Sequence, residues 1–235
     1  MTVFDKYADN YDEGHVKAVA MSGFKPDYFH EYKFKELISY LKKVGLGNKP
    51  IKLLDFGCGI GRSVEYLRKY LPKISIYGVD VSAGEIRVAK KNNKNLKNVK
   101  FASFDGYNIP FKTKFDVIFV ANVFHHIKRN EQEKVLKNIY KNLAKNGYLF
   151  IFEHNPINPL TQWIYFRNDF QFDKNSNLLS HFRTGNFLKK VGLPNNEVRF
   201  AIFFPQFLSM LIPFEKYLRW LPLGAHYFYI AKKAS

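Results

Sequence analysis

Cysteine is almost absent from this chain. The single residue, Cys58, excludes an internal disulfide and argues against a zinc centre built on thiolates, so no metal site is expected. A reducing compartment fits that usage. Long apolar runs are missing too. No stretch reaches the roughly 18 uninterrupted apolar residues of a membrane-spanning helix. The start, Met1-Thr2-Val3-Phe4-Asp5-Lys6-Tyr7, lacks the apolar run of a secretory signal. Both absences point to the cytoplasm. Acidic residues are scarce, 20 against 37 basic ones, for a formal net charge of +17. Such a field suits nucleic acid, an acidic membrane face or phosphorylated compounds. The excess is mostly lysine scattered among asparagine, as in Lys90-Lys91, Lys94, Lys97 and Lys100. Without an arginine cluster or a nucleic-acid-binding module, a solvated lysine surface is the simpler reading, and nucleic acid is not an expected partner.

What is present is apolar and aromatic. Of 235 residues 46% are hydrophobic, with 24 Phe and 15 Tyr, enough for one domain to bury a core. Short apolar runs at 51–56, 74–79, 99–104, 115–120 and 148–152 read as strands covered on both faces. Helical patterns alternate with them. Phe34, Leu37, Ile38, Leu41 and Val44 share one face before Gly45. Ser82 and Glu85 have capping-box spacing, and Asn130 with Glu133 opens a helix whose lysines 134, 137, 141 and 145 face solvent. Ser180 caps another. Two late strands, 198–204 and 226–231, have no helical crossover between them. The fold class is therefore α/β, a doubly wound, largely parallel sheet in a single domain over 1–235. Residues 1–30 form an amino-terminal lid, 31–152 a core, and 153–235 a second half with inserts at 153–179 and 205–225. The first insert reads as a long loop.

Chemistry concentrates at the strand ends. The turn Asp55-Phe56-Gly57-Cys58-Gly59-Ile60-Gly61 joins the first strand to a helix, where glycines let a ligand approach the backbone. Its GxGxG spacing is one residue short of the dinucleotide fingerprint. Asp80 follows Gly61 by 19 residues at the end of the second strand, and Asp105 ends the third. Carboxylates at three successive strand ends suit a cationic, non-phosphorylated nucleoside. Asp80 can accept from both ribose hydroxyls, Asp105 from an exocyclic amine, and Asp55 lies where an ammonium could sit.

These residues, with Gly78-Val79-Asp80-Val81-Ser82, Phe104-Asp105-Gly106, Phe115-Asp116-Val117-Ile118-Phe119, Asn122-Val123-Phe124-His125-His126-Ile127 and Leu143-Ala144-Lys145-Asn146-Gly147-Tyr148-Leu149, resemble the class I S-adenosylmethionine-dependent methyltransferases, specifically the small "type 11" group. The resemblance covers roughly 50–152. It implies a Rossmann-like seven-stranded sheet in the order 3-2-1-4-5-7-6 with strand 7 antiparallel. S-adenosylmethionine would be the cofactor and S-adenosylhomocysteine the product. Asp55, Gly57, Cys58, Gly59 and Gly61 would surround the methionine part, Asp80 the ribose, and Val81, Asp105 and Gly106 the adenine. Ala121 and Asn122 would flank the sulfonium, and Tyr11 would cover the cofactor from the lid.

The acceptor is less defined. A hydroxyl acceptor needs a base near the ends of strands four and five, where His125-His126 and Glu153-His154 fall. By the resemblance His125 is the base and Glu153 its support, with His126 either a second candidate or a packed histidine. The run Glu153-His154-Asn155-Pro156-Ile157-Asn158-Pro159-Leu160-Thr161, with Leu221-Pro222-Leu223-Gly224-Ala225-His226-Tyr227, is similar to a subset of type 11 enzymes of bacterial surface-polysaccharide and glycolipid gene neighbourhoods. The expected partner is a small-molecule or lipid-linked acceptor. Residues 203–221, rich in Phe, Leu and Trp with Lys216 and Arg219, read either as a peripheral contact with the inner membrane face or as a cap or interface of a monomer or homodimer. A C-methyltransferase on a polyprenylated ring and a non-catalytic cofactor-binding subunit are the alternatives.

Overall fold

The computed structural model describes residues 22–167 and 177–235. Most of the expected lid, with Tyr11, lies outside the described residues. The chain runs α1 (Pro26–Lys43), β1 (Ile51–Phe56), α2 (Ser63–Tyr70), β2 (Ile74–Asp80), α3 (Ala83–Asn92), β3 (Val99–Ser103) and β4 (Phe115–Ala121). A 3-10 turn (Phe124–His126), α4 (Gln132–Asn142), β5 (Leu143–His154), α5 (Pro159–Arg167), α6 (His181–Lys190) and β6 (Asn196–Ala201) follow. A 3-10 segment (Gln206–Phe214), α7 (Glu215–Leu218) and β7 (His226–Lys232) complete the chain.

The seven strands form one sheet in the order β3-β2-β1-β4-β5-β7-β6. Its strands pair in parallel except β7, which runs antiparallel to both β5 and β6. The near-continuous apolar strands are covered on both faces, as their composition requires. Leu53, Phe119, Phe150, Phe152 and Phe228 meet the buried face of α1, where Phe34, Leu37, Ile38 and Leu41 are at most 5% exposed. Leu54, Ile118, Leu149, Ile151 and Tyr227 meet α4 and α6 on the other side. Lysines 134, 137, 141 and 145 are exposed, as expected of a solvated face. Ser82 and Ser180 cap α3 and α6, accepting from the Glu85 and Arg183 amides.

Several boundaries differ from expectation. The lid–core boundary at 30/31 falls inside α1, whose apolar face extends back to Phe29. Asn130 does not cap α4. Glu131 occupies that position with no side-chain cap, and the buried Gln132 amide instead donates to the Phe124 and Ile127 carbonyls. The insert read as a long loop contains α5, and the 205–225 connection contains the 3-10 segment and α7. The sixth strand stops at Ala201 because Ile202 turns the chain at φ 63. The Glu215 carboxylate holds that turn by accepting the amides of Ile202, Phe203 and Phe204.

The two inserts are fastened to each other. Asn155, fully buried, donates from Nδ2 to the carbonyls of Pro222 (3.0 Å) and Gly224 (2.8 Å), and Asn158 donates to Leu223. A side chain on Gly224 would strike the Ala201 backbone, so the 221–225 turn sits directly against the end of β6. No helix among the described residues is long and apolar enough to cross a membrane.

Candidate active site

The carboxyl ends of β1, β2 and β4 converge at the glycine turn, where a parallel sheet of this order reverses and ligands bind. Gly57 and Cys58 both donate to the Val79 carbonyl, which folds the turn back on β2. Gly57, at φ 80, cannot carry a side chain, since a Cβ would strike Val123. Gly59 donates to Asp80 Oδ2 at 3.0 Å, and Ser82 donates to Asp80 Oδ1 at 2.9 Å. Beside Gly59 there is room for a close approach: the first atom a Cβ would meet is Glu85 Oε2, at 3.6 Å.

Three carboxylates therefore gather at this corner, all at most 8% exposed: Asp55, Asp80 and Glu85. Burial pushes the Asp55 carboxyl up to about 7, Ser63 partly opposing and the charge of Asp80 adding. Glu85 was recognisable in the sequence only as a capping residue. Its burial beside the glycine turn adds a third acid to Asp55 and Asp80, whereas Asp105, the other strand-end acid expected, is exposed.

Asp105 lies just beyond β3, exposed. It accepts from the Tyr107 amide and from the amide and side chain of Asn108, which hold its carboxyl below the usual carboxylate range. Val81 and Gly106 stand side by side at the ends of β2 and β3, a Cβ on Gly106 lying 3.5 Å from Val81 Cγ1. Ala121 ends β4. Asn122 follows at φ 57, its amide bonded to the Phe152 carbonyl and its Oδ1 buried without a hydrogen-bond partner.

The next residues turn toward β5. Glu153, fully buried, accepts at Oε1 from the amides of Val123 (3.1 Å) and Phe124 (2.7 Å). Its Oε2 lies 2.7 Å from His125 Nδ1. A carboxylate only accepts, so Nδ1 carries the proton and the basic nitrogen of His125 is Nε2. His125 is 2% exposed, whereas His126 is exposed, its ring 4.0 Å from that of His125. Val123 joins the two halves of the site, since its side chain fills the space in front of Gly57.

Beyond His125 lie His154, which the sequence places beside Glu153 near the acceptor, and two groups not singled out there as site candidates, His226 and Lys33. His154, at the end of β5, has its ring 5.3 Å from that of His125 and 4.6 Å from that of His226, its partner in register on β7. Burial, then His226, His125 and Lys33, push His154 well below the ordinary imidazole range. Lys33 of α1 is 4% exposed, and burial lowers it to about 8 against the opposing pull of Glu153. A signal for all three was present. Lys33 is four residues after Phe29 and four before Leu37 on the apolar face of α1. His154 extends the alternation Phe150-Phe152, and His226 that of Ile230-Phe228.

The sheet order, the glycine turn and the acid corner define the class I methyltransferase fold. Residues 54–151 match the family described as "Methyltransferase domain". Over 113 residues the chain is 33% identical to malonyl-[acyl-carrier protein] O-methyltransferase of Bacillus cereus, spanning 48% of this chain and 41% of that protein. It is 33% identical over 157 residues to the ubiquinone biosynthesis O-methyltransferase of Pelagibacter ubique, 63% of this chain and 61% of the relative. The chain thus spans less than two thirds of either relative. Phosphoethanolamine N-methyltransferase 2 of Haemonchus contortus, solved with S-adenosyl-L-methionine, shares the fold at 18% identity. Its TM-score is 0.64 over 100% of this chain and 61% of that one. S-adenosylmethionine is the cofactor of this class. The open backbone beside Gly59, the acids suited to a cationic ligand and the unpartnered Asn122 Oδ1 all fit it.

Proposed function

We propose that the chain transfers a methyl group from S-adenosylmethionine to a hydroxyl of a sugar, a glycolipid precursor or another small molecule. When bound, the cofactor supplies an electrophilic methyl group on a sulfonium. Asp55 and Glu85 would face its cationic end beside the glycine turn, Asp80 would hold the ribose, and Val81, Asp105 and Gly106 would flank the adenine. The observation that carries the reading is the buried pair of His125 and Glu153. Glu153 fixes the tautomer and ring of His125, and Val123 ties their turn to the glycine turn. His125 Nε2 takes the acceptor proton as the methyl is transferred. Two of the relatives are named O-methyltransferases, which supports oxygen as the acceptor atom.

A lipid-linked acceptor at the membrane face is favoured by the 3-10 segment and α7, which bury none of their residues. Phe207, Met210 and Trp220 are 83%, 78% and 74% exposed. Glu215 and the Arg219–Glu36 ion pair hold the backbone that presents them. The contact between Asn155 and the 222–224 carbonyls supports the glycolipid-associated subset, because it joins the two motifs that carry that resemblance.

The test is turnover with labelled cofactor on extracts and on hydroxyl acceptors. His125→Ala should keep cofactor affinity and lose about 10²–10⁴-fold in rate, the range of a general base. Full activity in that variant would remove His125 from the chemistry.

A further inference from the structure

The two halves of the site differ in electrical character. Asp55, Asp80 and Glu85 line the donor corner, whereas the acceptor side carries Lys33, His125, His154 and His226. The carboxylate beside His125, Glu153, already accepts from two backbone amides and His125, while Glu36 and Glu215, with Arg219 opposing them, act on the Tyr32 hydroxyl. Lys33 is 96% removed from solvent, with no hydrogen-bond or ion-pair partner among the described residues. A buried ammonium is costly unless paired, and one left unpaired beside a binding site calls for an anion from outside the chain. Two polar atoms nearby are buried without a partner. His226, 4% exposed, has a buried Nδ1 with no partner, and the buried Tyr32 hydroxyl, next in sequence to Lys33, also has none. The Tyr32 ring lies 6.4 Å from that of His226, which lies 4.6 Å from that of His154.

Resting on the donor assignment above, we propose that Lys33, His226 and Tyr32 form a subsite for an anionic group of the acceptor, a phosphoryl or carboxylate. The Lys33 ammonium supplies the charge. His226 Nδ1 and the Tyr32 hydroxyl donate hydrogen bonds, and His154 fills the space between this subsite and His125. The acceptor hydroxyl then reaches His125 with its charged group anchored one strand away, across the β5–β7 pair. No trio of His, Cys, Asp or Glu among the described residues is arranged to hold a metal ion. The cation at this place is the lysine itself.

The protein loaded with S-adenosylhomocysteine is titrated calorimetrically with inorganic phosphate, acetate, glucose 1-phosphate and, as the neutral control, glucose. Phosphate and glucose 1-phosphate responding together identify a phosphoryl subsite, and acetate alone identifies a carboxylate one. Binding should draw a proton into the protein above about pH 8, as Lys33 completes its protonation. Lys33→Met should weaken the anion at least about tenfold and leave S-adenosylhomocysteine within about twofold. Tyr32→Phe, the milder change, should weaken the anion less and serves if Lys33→Met does not fold.

The subsite is overturned if no anion binds up to about 50 mM, if glucose binds as well as its phosphate, or if both variants bind like the wild type. Failure of the wild type to bind S-adenosylhomocysteine would refute the donor assignment instead. The same anion titration on the unloaded protein would then still decide the subsite.

Discussion

Asp55 should make the protein less stable than it needs to be, at neutral pH and above. Its carboxyl is driven from 3.8 to about 7, chiefly by burial. The folded state therefore binds the Asp55 proton more tightly than the unfolded state does, so its contribution to stability falls as pH rises between those two values. At 1.36 kcal/mol per pKa unit, holding the ionised group in place costs about 4 kcal/mol above pH 7. About 2–3 kcal/mol of this accrues between pH 5 and pH 8. Asp55→Asn keeps the shape and removes the titration. The variant should gain on the wild type as pH rises, by roughly 4–12 °C in Tm between about pH 5 and about pH 8. It should also lose cofactor affinity at least about tenfold, because a charge-assisted contact disappears. The assay is thermal unfolding of both proteins without ligand at the two pH values, with calorimetric titration of S-adenosylmethionine. A Tm difference that does not change with pH would refute the assigned environment. So would a wild type that gains on the variant at high pH.

Other consequences follow from the same geometry. Asn155→Ala leaves the buried Gly224 and half-buried Pro222 carbonyls without their donor and should cost about 2–4 kcal/mol, read as a lower midpoint in urea. An unchanged midpoint would mean that the two inserts are held by something else. Replacing Phe207, Met210 and Trp220 together by serine should leave cofactor affinity and Tm nearly unaltered, since all three are exposed, while abolishing flotation with anionic liposomes. Absence of flotation by the wild type would exclude the membrane contact.

The donor half was open to reading in the sequence because its determinants are local. Each strand runs directly into its candidate residue, and the glycine turn is one unbroken segment. Asp55 and Asp80 therefore arrive together by sheet order alone, and the order itself came from the resemblance. Glu85 was hidden behind its second role as a helix-cap residue. The acceptor half was harder for a physical reason. Lys33, His154 and His226 come from α1, β5 and β7, separated by up to 193 positions, and only the antiparallel insertion of β7 brings the last two together. The limits of α4 and β6 were missed because tertiary groups set them. Gln132 bonds back to the His125 turn, and Glu215 holds Ile202 in a conformation that β-branched residues rarely adopt.

The antiparallel β7 gives acceptor choice a hereditary mechanism of its own. Because alternate residues of a strand point to opposite faces, a one-residue slip of β7 would withdraw His226 and send Tyr227 toward α1. The Ala225–Ile202 hydrogen bond and the tight seat of Gly224 hold that register, while the connection ahead of them presents Phe207, Met210, Phe214, Tyr217 and Trp220 to solvent. Lengthening or recolouring the connection would change what reaches the pocket and leave the methyl-donor corner intact. Such a chain can diversify its customers by editing one hairpin.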